Sequence, residues 1–421
     1  MPRPEAIRQQ ASRSWVKTVV LVILVAAIAA VVGTRRSDSL KGTDFPDFYC
    51  AARILLDGHG HQLYDADLQR LYQARYAGGV GTLYIHPPFE AVSYLVVAWL
   101  PLLSAYRLWS LLDLLVLAVG ARLMAKQALV PWDWRVLLAA SLTFVPLLLC
   151  LLQGQDSLLF LLVVILAFAA LRDERAFAAG CWLGLGLFKF QIVLPMVFVL
   201  VWTRRRNTRS ELAKGFGLVA LTLAGISAAI SGWPAFYYPR FLLRLQTQPA
   251  TGIAPQAMAN FRGLAYLFDH NAQSLWVIGA ILILSVAGLV KTLAVWKHPP
   301  LASPANTPAS THDEFDFAFA NTVLFSLLAS YYLNPHDLSL LLLPICLLLR
   351  HALLRQQHVR SLATSIIIGL VAILFLPPLH LWALKAGVYE LVAVPVLLLF
   401  LTSAAITAAA TNPKKATIVQ H

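Results

Sequence analysis

Apolar runs recur from Val19 to Ala410, most of them about 15 to 24 residues long, close to the roughly 20 needed for a helix to cross a bilayer. Within the hydrocarbon layer each unpaired backbone N–H or C=O costs several kcal/mol, so such runs must be helical. Only 13% of the residues are charged, about half the share of a soluble domain. The chain therefore reads as all-α: a polytopic membrane helix bundle of about 10–12 spans, with one integral membrane domain over 1–421. Twelve apolar segments can be drawn, at 16–33, 89–103, 106–122, 136–152, 155–171, 176–202, 212–231, 274–296, 317–333, 338–349, 362–382 and 387–410. Between them lie two long hydrophilic loops, 34–88 and 232–273. A third stretch, 297–316, is rich in Pro, Ala, Thr and Asp and reads as a flexible cytoplasmic linker.

Net charge is +13, a balance that nucleic-acid binders share, but the cations sit in short clusters beside apolar runs. Arg3, Arg8, Arg13 and Lys17 precede the first run. Arg204, Arg205, Arg206 and Arg209 follow the sixth, and Arg350, Arg355, Arg360, Lys414 and Lys415 flank later ones. This is the positive-inside pattern; it points to membrane lipids as partners and away from nucleic acid. It puts the N-terminus in the cytoplasm and both long loops outside. Basic residues, an apolar run and small residues at Ala27 and Ala29 resemble a signal peptide, but the many later spans favour an uncleaved first helix. The stretch 104–175 allows two topologies. Either all twelve segments cross, or 89–103 is re-entrant and 176–202 is a broken hairpin, which gathers the polar motifs on one face. Pro101, Gly184, Gly186, Lys189 and Pro195 favour the second. Cys50, Cys150, Cys181 and Cys346 contain no C-x-x-C pair, so neither a disulfide framework nor a zinc site follows.

Six polar motifs stand out against this scaffold. Asp44-Phe-Pro-Asp47-Phe-Tyr49 puts two carboxylates among aromatics. A positioned carboxylate suits a general base that takes a hydroxyl proton, but an Asp before an apolar helical run is equally a cap. His59 and His61 lie two apart, followed by Leu63-Tyr64-Asp65 and by Tyr84-Ile-His86-Pro87-Pro88. No carboxylate or cysteine completes a metal set, and a polar turn is the simpler reading. Gln153-Gly-Gln155-Asp156 at the end of a span reads as a sugar hydrogen-bonding corner or an ordinary turn. Lys189 is an intramembrane cation whose natural partner is a phosphate, unless it snorkels to an interface. Arg262, after Asn260, is placed to clamp a phosphate or to touch headgroups. Tyr237, Tyr238, Arg240 and Arg244 read as an interfacial segment. His336, in Tyr331-Tyr-Leu-Asn-Pro-His-Asp337, is placed to bond a phosphate or to hold structure. Asp113 and Glu390 read as polar contacts within the bundle.

Together these motifs resemble glycosyltransferase family 87, the polyprenol-phosphate-mannose-dependent mannosyltransferases with the GT-C fold. The resemblance runs from about Thr43 to Pro344. Its ordered pieces are Asp44-Phe45, Phe48-Tyr49, Ala51-Ala52, Gly58, Leu63-Tyr64-Asp65, Tyr84-Ile-His86-Pro87-Pro88, Gly154-Gln155, Ala179-Gly180 and Lys189. It departs at His86, where an aromatic is usual, and at Phe261-Arg262. The resemblance implies Asp44 as general base, with Lys189 and His336 around the donor phosphate. Asp47, Tyr49, Tyr64, His86, Gln155 and Arg262 complete the expected substrate-binding set. It further implies a polyprenyl-phosphate donor carrying mannose, a lipid or glycan acceptor, and neither cofactor nor metal. The expected place is the inner (plasma) membrane, with the site facing the exterior. The rival readings are a transporter or lipid flippase and an inactive assembly subunit; the absence of an internal repeat weighs against transport.

Overall fold

The computed structural model describes residues 4–79, 81–127, 132–232, 238, 254–271, 274–297, 308–356 and 362–410. Among these residues the chain is helical and contains no strand. Helix α1 (Pro4–Thr34) leads to two helices of the first long loop, α2 (Phe45–Leu56) and α3 (Ala66–Ala77), and to two short ones, α4 (Glu90–Ser93) and α5 (Leu95–Ala98). The bundle continues with α6 (Leu102–Lys126), α7 (Trp134–Ser141), α8 (Val145–Gln153), α9 (Ser157–Arg172), α10 (Ala176–Leu185), α11 (Phe190–Thr203) and α12 (Arg206–Ser231). It closes with α13 (Phe261–Tyr266), α14 (Leu275–Lys297), α15 (Pro308–Ala329), α16 (Leu342–Gln356), α17 (Leu362–Leu374), α18 (Pro377–Ala386) and α19 (Ala393–Ala410). Tyr237, Arg240 and Arg244 lie outside the described residues.

By length and composition, six stretches can cross a membrane: Trp15–Thr34, Leu102–Lys126, Ala176–Thr203, Arg206–Ser231, Leu275–Lys297 and Tyr389–Ile406. The pairs α7/α8 and α17/α18 are bent by 72° and 56° and each supplies one more if counted as a single span. Segment 89–103 holds no helix long enough to cross a membrane: it breaks into the short α4 and α5. The first long loop is no loose excursion. Its Phe45, Phe48, Tyr49 and Tyr84 form a second buried core with Tyr94, Tyr106 and Trp109, so burial of aromatic area orders it. The expected linker 297–316 is also partly overturned, because α15 begins at Pro308. Asp316 on that helix is buried and ion-paired, 2.6 Å from Arg350 Nη1 and 3.4 Å from Arg172 Nη2.

The stretch Ala176–Thr203 is long enough for one span, yet its two ends meet the same neighbours. Arg172, just before α10, pairs with Asp316. Arg204, just after α11, stacks 4.9 Å over the Phe315 ring and 4.5 Å over Trp296. Lys189, halfway along, lies 3.1 Å from Asp156 at the opposite end of α9. The segment therefore rises as α10, turns at Gly186–Lys189 and returns as α11. At Lys189 the backbone leaves the helical region, with φ −110 and ψ 50. An intramembrane break of this kind is tolerated because protein surrounds it.

Glycines let this hairpin pack. A Cβ on Gly180 would meet the Leu212 carbonyl oxygen, and one on Gly215 would meet that of Phe177, both closer than real Cβ contacts. The backbones of α10 and α12 thus touch, as small residues permit between membrane helices. Gly215→Leu is expected to destabilise the fold by about 3 kcal/mol through overpacking, read as a lowered unfolding midpoint in detergent.

Candidate functional site

Asp44 stands at the N-cap of α2, but its side chain caps nothing. Pro46 in the first turn has no N–H to satisfy, so the carboxylate is released for another use. Its backbone N–H donates to Gln153 Oε1 at 3.1 Å, and Gln155 Nε2 donates to its Oδ2 at 2.5 Å. Gly154, between these glutamines, has φ +66 and ends α8. A Cβ there would meet Phe45 at 2.7 Å. Glycine is what allows the α8–α9 corner to close onto the start of α2.

The corner opens on a cavity of about 200 Å³, lined by Asp44, Asp47, Phe48, Thr82, Tyr84, His86, Gln153, Gln155, Tyr332, Asn334 and His336 among others. Asp47 is buried and accepts hydrogen bonds from Gln73 Nε2 at 2.9 Å and from Thr82 Oγ1. Burial pushes its carboxyl well above the usual range, while Thr82 opposes that. It ties the 81–86 stretch to α2 rather than serving as a free ligand. Asp47→Ala leaves two donors unpaired and is expected to cost about 1–3 kcal/mol of stability. Its activity loss should appear in KM, with kcat still measurable, in a steady-state transfer assay.

Below the cavity lies a charged floor. Lys189 Nζ is 3.1 Å from Asp156 Oδ1, 3.3 Å from Asp337 Oδ1 and 3.4 Å from Gln155 Oε1. An ammonium has three N–H donors, and here each has a protein partner. Through these contacts Lys189 anchors the corner that holds Gln155 against Asp44. Asp337 also accepts from Ser157 Oγ at 2.8 Å and from the Asn334 backbone N–H at 2.9 Å. Burial would raise its pKa, but Lys189, His336 and these donors together hold it down at about 2. His336 is buried and its Nε2 has no hydrogen-bond partner. Burial lowers its pKa, so the ring is neutral at pH 7.

Besides Lys189, three of the expected substrate-binding residues do not line the cavity. Tyr49 donates its hydroxyl to the Leu100 carbonyl at 2.7 Å, and Tyr64 to that of His86 at 2.7 Å. Arg262 stays beside Tyr331, 4.2 Å over its ring and bonded to its carbonyl at 3.3 Å. The hydroxyls of Tyr49 and Tyr64 are engaged in the packing of the loops. Conversely, Glu90, Asp156, Asp337, Thr82, Tyr332 and Asn334 belong to the site or its floor but were not among the expected binding residues. Asp156 and Asp337 adjoin residues in that set. Glu90 had one signal only, as a lone acid opening an apolar segment.

Residues 84–330 match glycosyltransferase family 87. The chain belongs to that family. The family 87 match covers His86, Gln155 and Lys189 but neither Asp44 nor His336, which tertiary contacts bring to the same cavity. Membership makes this multi-pass protein a membrane glycosyltransferase and sets aside the transport reading. Among solved structures, ArnT from Cupriavidus metallidurans in the apo state is similar over 95% of this chain and 78% of its own, with 15% identity and a TM-score of 0.36. No curated protein matches the chain in sequence.

Proposed function

We propose that this family 87 enzyme, with a fold of the GT-C type, moves a sugar, read as mannose, from a polyprenyl-phosphate donor to a lipid or glycan acceptor. The transfer takes place with inversion at the outer face of the inner membrane. The observation that carries this reading is Asp44, a carboxylate at a helix start that caps nothing and opens on the cavity under the hold of Gln155. The acceptor hydroxyl oxygen attacks the anomeric carbon, its proton passes to Asp44, and the bond from that carbon to the phosphate oxygen breaks. The lipid phosphate leaves as an anion and needs no proton. The neutral His336 ring, on the cavity wall, donates a hydrogen bond to it. All these residues lie at the loop end of the bundle, opposite the Arg172, Arg204 and Arg350 end, which agrees with an outward-facing site.

The test combines purified protein, radiolabelled polyprenyl-phosphate-mannose and a membrane lipid extract as acceptor pool. A new labelled product of inverted anomeric configuration is expected. Absence of turnover with mannose and with every other prenyl-phosphate sugar would overturn the reading.

A further inference from the structure

His86 and Glu90 form a unit that the transfer step above does not use. His86 lies on the cavity wall, its ring 4.7 Å from that of Phe48. The main chain that carries it is fastened from behind. Tyr64 bonds the His86 carbonyl at 2.7 Å, Tyr238 that of Ile85 at 2.9 Å, and Gln69 Oε1 accepts from the Tyr84 N–H at 2.7 Å. One ring nitrogen, Nδ1, sits 3.0 Å from Glu90 Oε1. For the other, Nε2, which faces the cavity side, no hydrogen bond is seen among the described residues.

Glu90 is 1% exposed. Beyond its contact with His86, and that of Asp156 with Lys189, both Glu90 oxygens and Asp156 Oδ1 are buried without a hydrogen-bond partner. Two adjacent buried carboxyls resolve this by sharing one proton, because two like charges in such a place cannot both persist. Lys189 favours the ionised form of both carboxyls but touches Asp156, at 3.1 Å, which leaves the shared proton to Glu90. Burial, the largest influence on each, places Glu90 at about 8 and Asp156 at about 7, in the same order. The Glu90 O–H then donates to Asp156, and its other oxygen is left to accept from His86 Nδ1–H. Burial keeps His86 neutral, with a pKa of about 4, and a neutral imidazole carries one proton only.

We infer that Glu90 is a proton-bearing positioning residue that holds His86 as the Nδ1–H tautomer, so that its bare Nε2 accepts a hydrogen bond from a hydroxyl of the bound sugar. The inference rests on the sugar-transfer reading and deepens it. The groups facing Glu90 are His86 from the 81–88 stretch, Asp156 from the α8–α9 corner, Lys189 from the α10–α11 turn and Asp337 from the turn before α16. Above pH about 8 the shared proton is lost, Glu90 and Asp156 repel, and the ring loses its seat. Glutamine at position 90 keeps the pattern without a titrating proton: its carbonyl accepts from His86 and its amide donates to Asp156.

Two measurements test this. The first is ¹⁵N-histidine NMR of the full-length protein in detergent at pH 7, with the His86 signal identified by its loss in His86→Phe. A pyrrole-type Nδ1 and a pyridine-type Nε2 are expected; the opposite tautomer or an imidazolium would overturn the inference. The second is kcat/KM against pH. The wild type should fall above pH about 8 through KM. Glu90→Gln should lose the alkaline fall in kcat/KM, while Glu90→Leu should raise KM roughly tenfold at neutral pH. An unchanged alkaline fall in Glu90→Gln would refute the role of Glu90. A wild type with no turnover would sink the transfer reading, while the NMR result would still decide the tautomer.

Discussion

Asp44→Asn is expected to lower kcat by about 10³-fold, the middle of the range for a lost general base. The amide oxygen can still accept from Gln155 Nε2, now 2.5 Å from the carboxylate, so the cavity keeps its shape. Donor affinity and the unfolding midpoint should stay close to wild type. The loss therefore belongs to the proton-transfer step, unlike Asp47→Ala, whose cost should fall on stability and KM. Wild-type-like transfer by Asp44→Asn would remove Asp44 from the mechanism.

Lys189→Met is expected to cost about 3–5 kcal/mol of stability at pH 7.5, because it strands buried carboxylates without their counter-charge. Asp156 and Asp337 lie 3.1 and 3.3 Å from the ammonium, and the hydrophobic replacement pairs with neither. The pH dependence should separate the two proteins. In the wild type Asp337 is held down at about 2, so its contribution to stability is present above pH about 4 and fades as pH falls toward 2. In the variant, carboxyls without the lysine take up protons more readily in the folded than in the unfolded state. Its stability should then rise as pH falls from 7.5 to 5. Thermal unfolding in detergent at the two pH values checks both points, and a variant as stable as wild type at pH 7.5 would refute the ion-pair floor. Activity should fall too, since Gln155 loses a contact that holds it against Asp44.

Several features were legible in the residues themselves. Gly184, Gly186, Lys189 and Pro195 foretold an interrupted hairpin, and the backbone does break at Lys189 and turn back. The short segment ending at Pro101 foretold an interrupted element, and it does break into the four-residue helices α4 and α5. Asp44 was readable as base or as cap; its side chain bonds no helix N–H, which removes the cap. The partners of the aromatics were not legible: the hydroxyls of Tyr49 and Tyr64 bond backbone carbonyls of neighbouring loops. Nor does anything local to Lys189 reveal that two carboxylates await it.

What the sequence determined by itself is the class of solvent and the class of chain: a helical membrane protein with basic clusters beside its apolar runs. Hydropathy, helix breakers and charge placement act over one or two turns, so they survive in a linear reading. What only the tertiary structure decided is which polar groups meet. Gln155 reaches Asp44 across 111 residues and Ser157 reaches Asp337 across 180. Glu90 acquires its proton-sharing partner only where α4 packs under the α8–α9 corner. In a buried site the state of each group depends on the partner that replaces water, and no local pattern encodes a partner so distant in the chain.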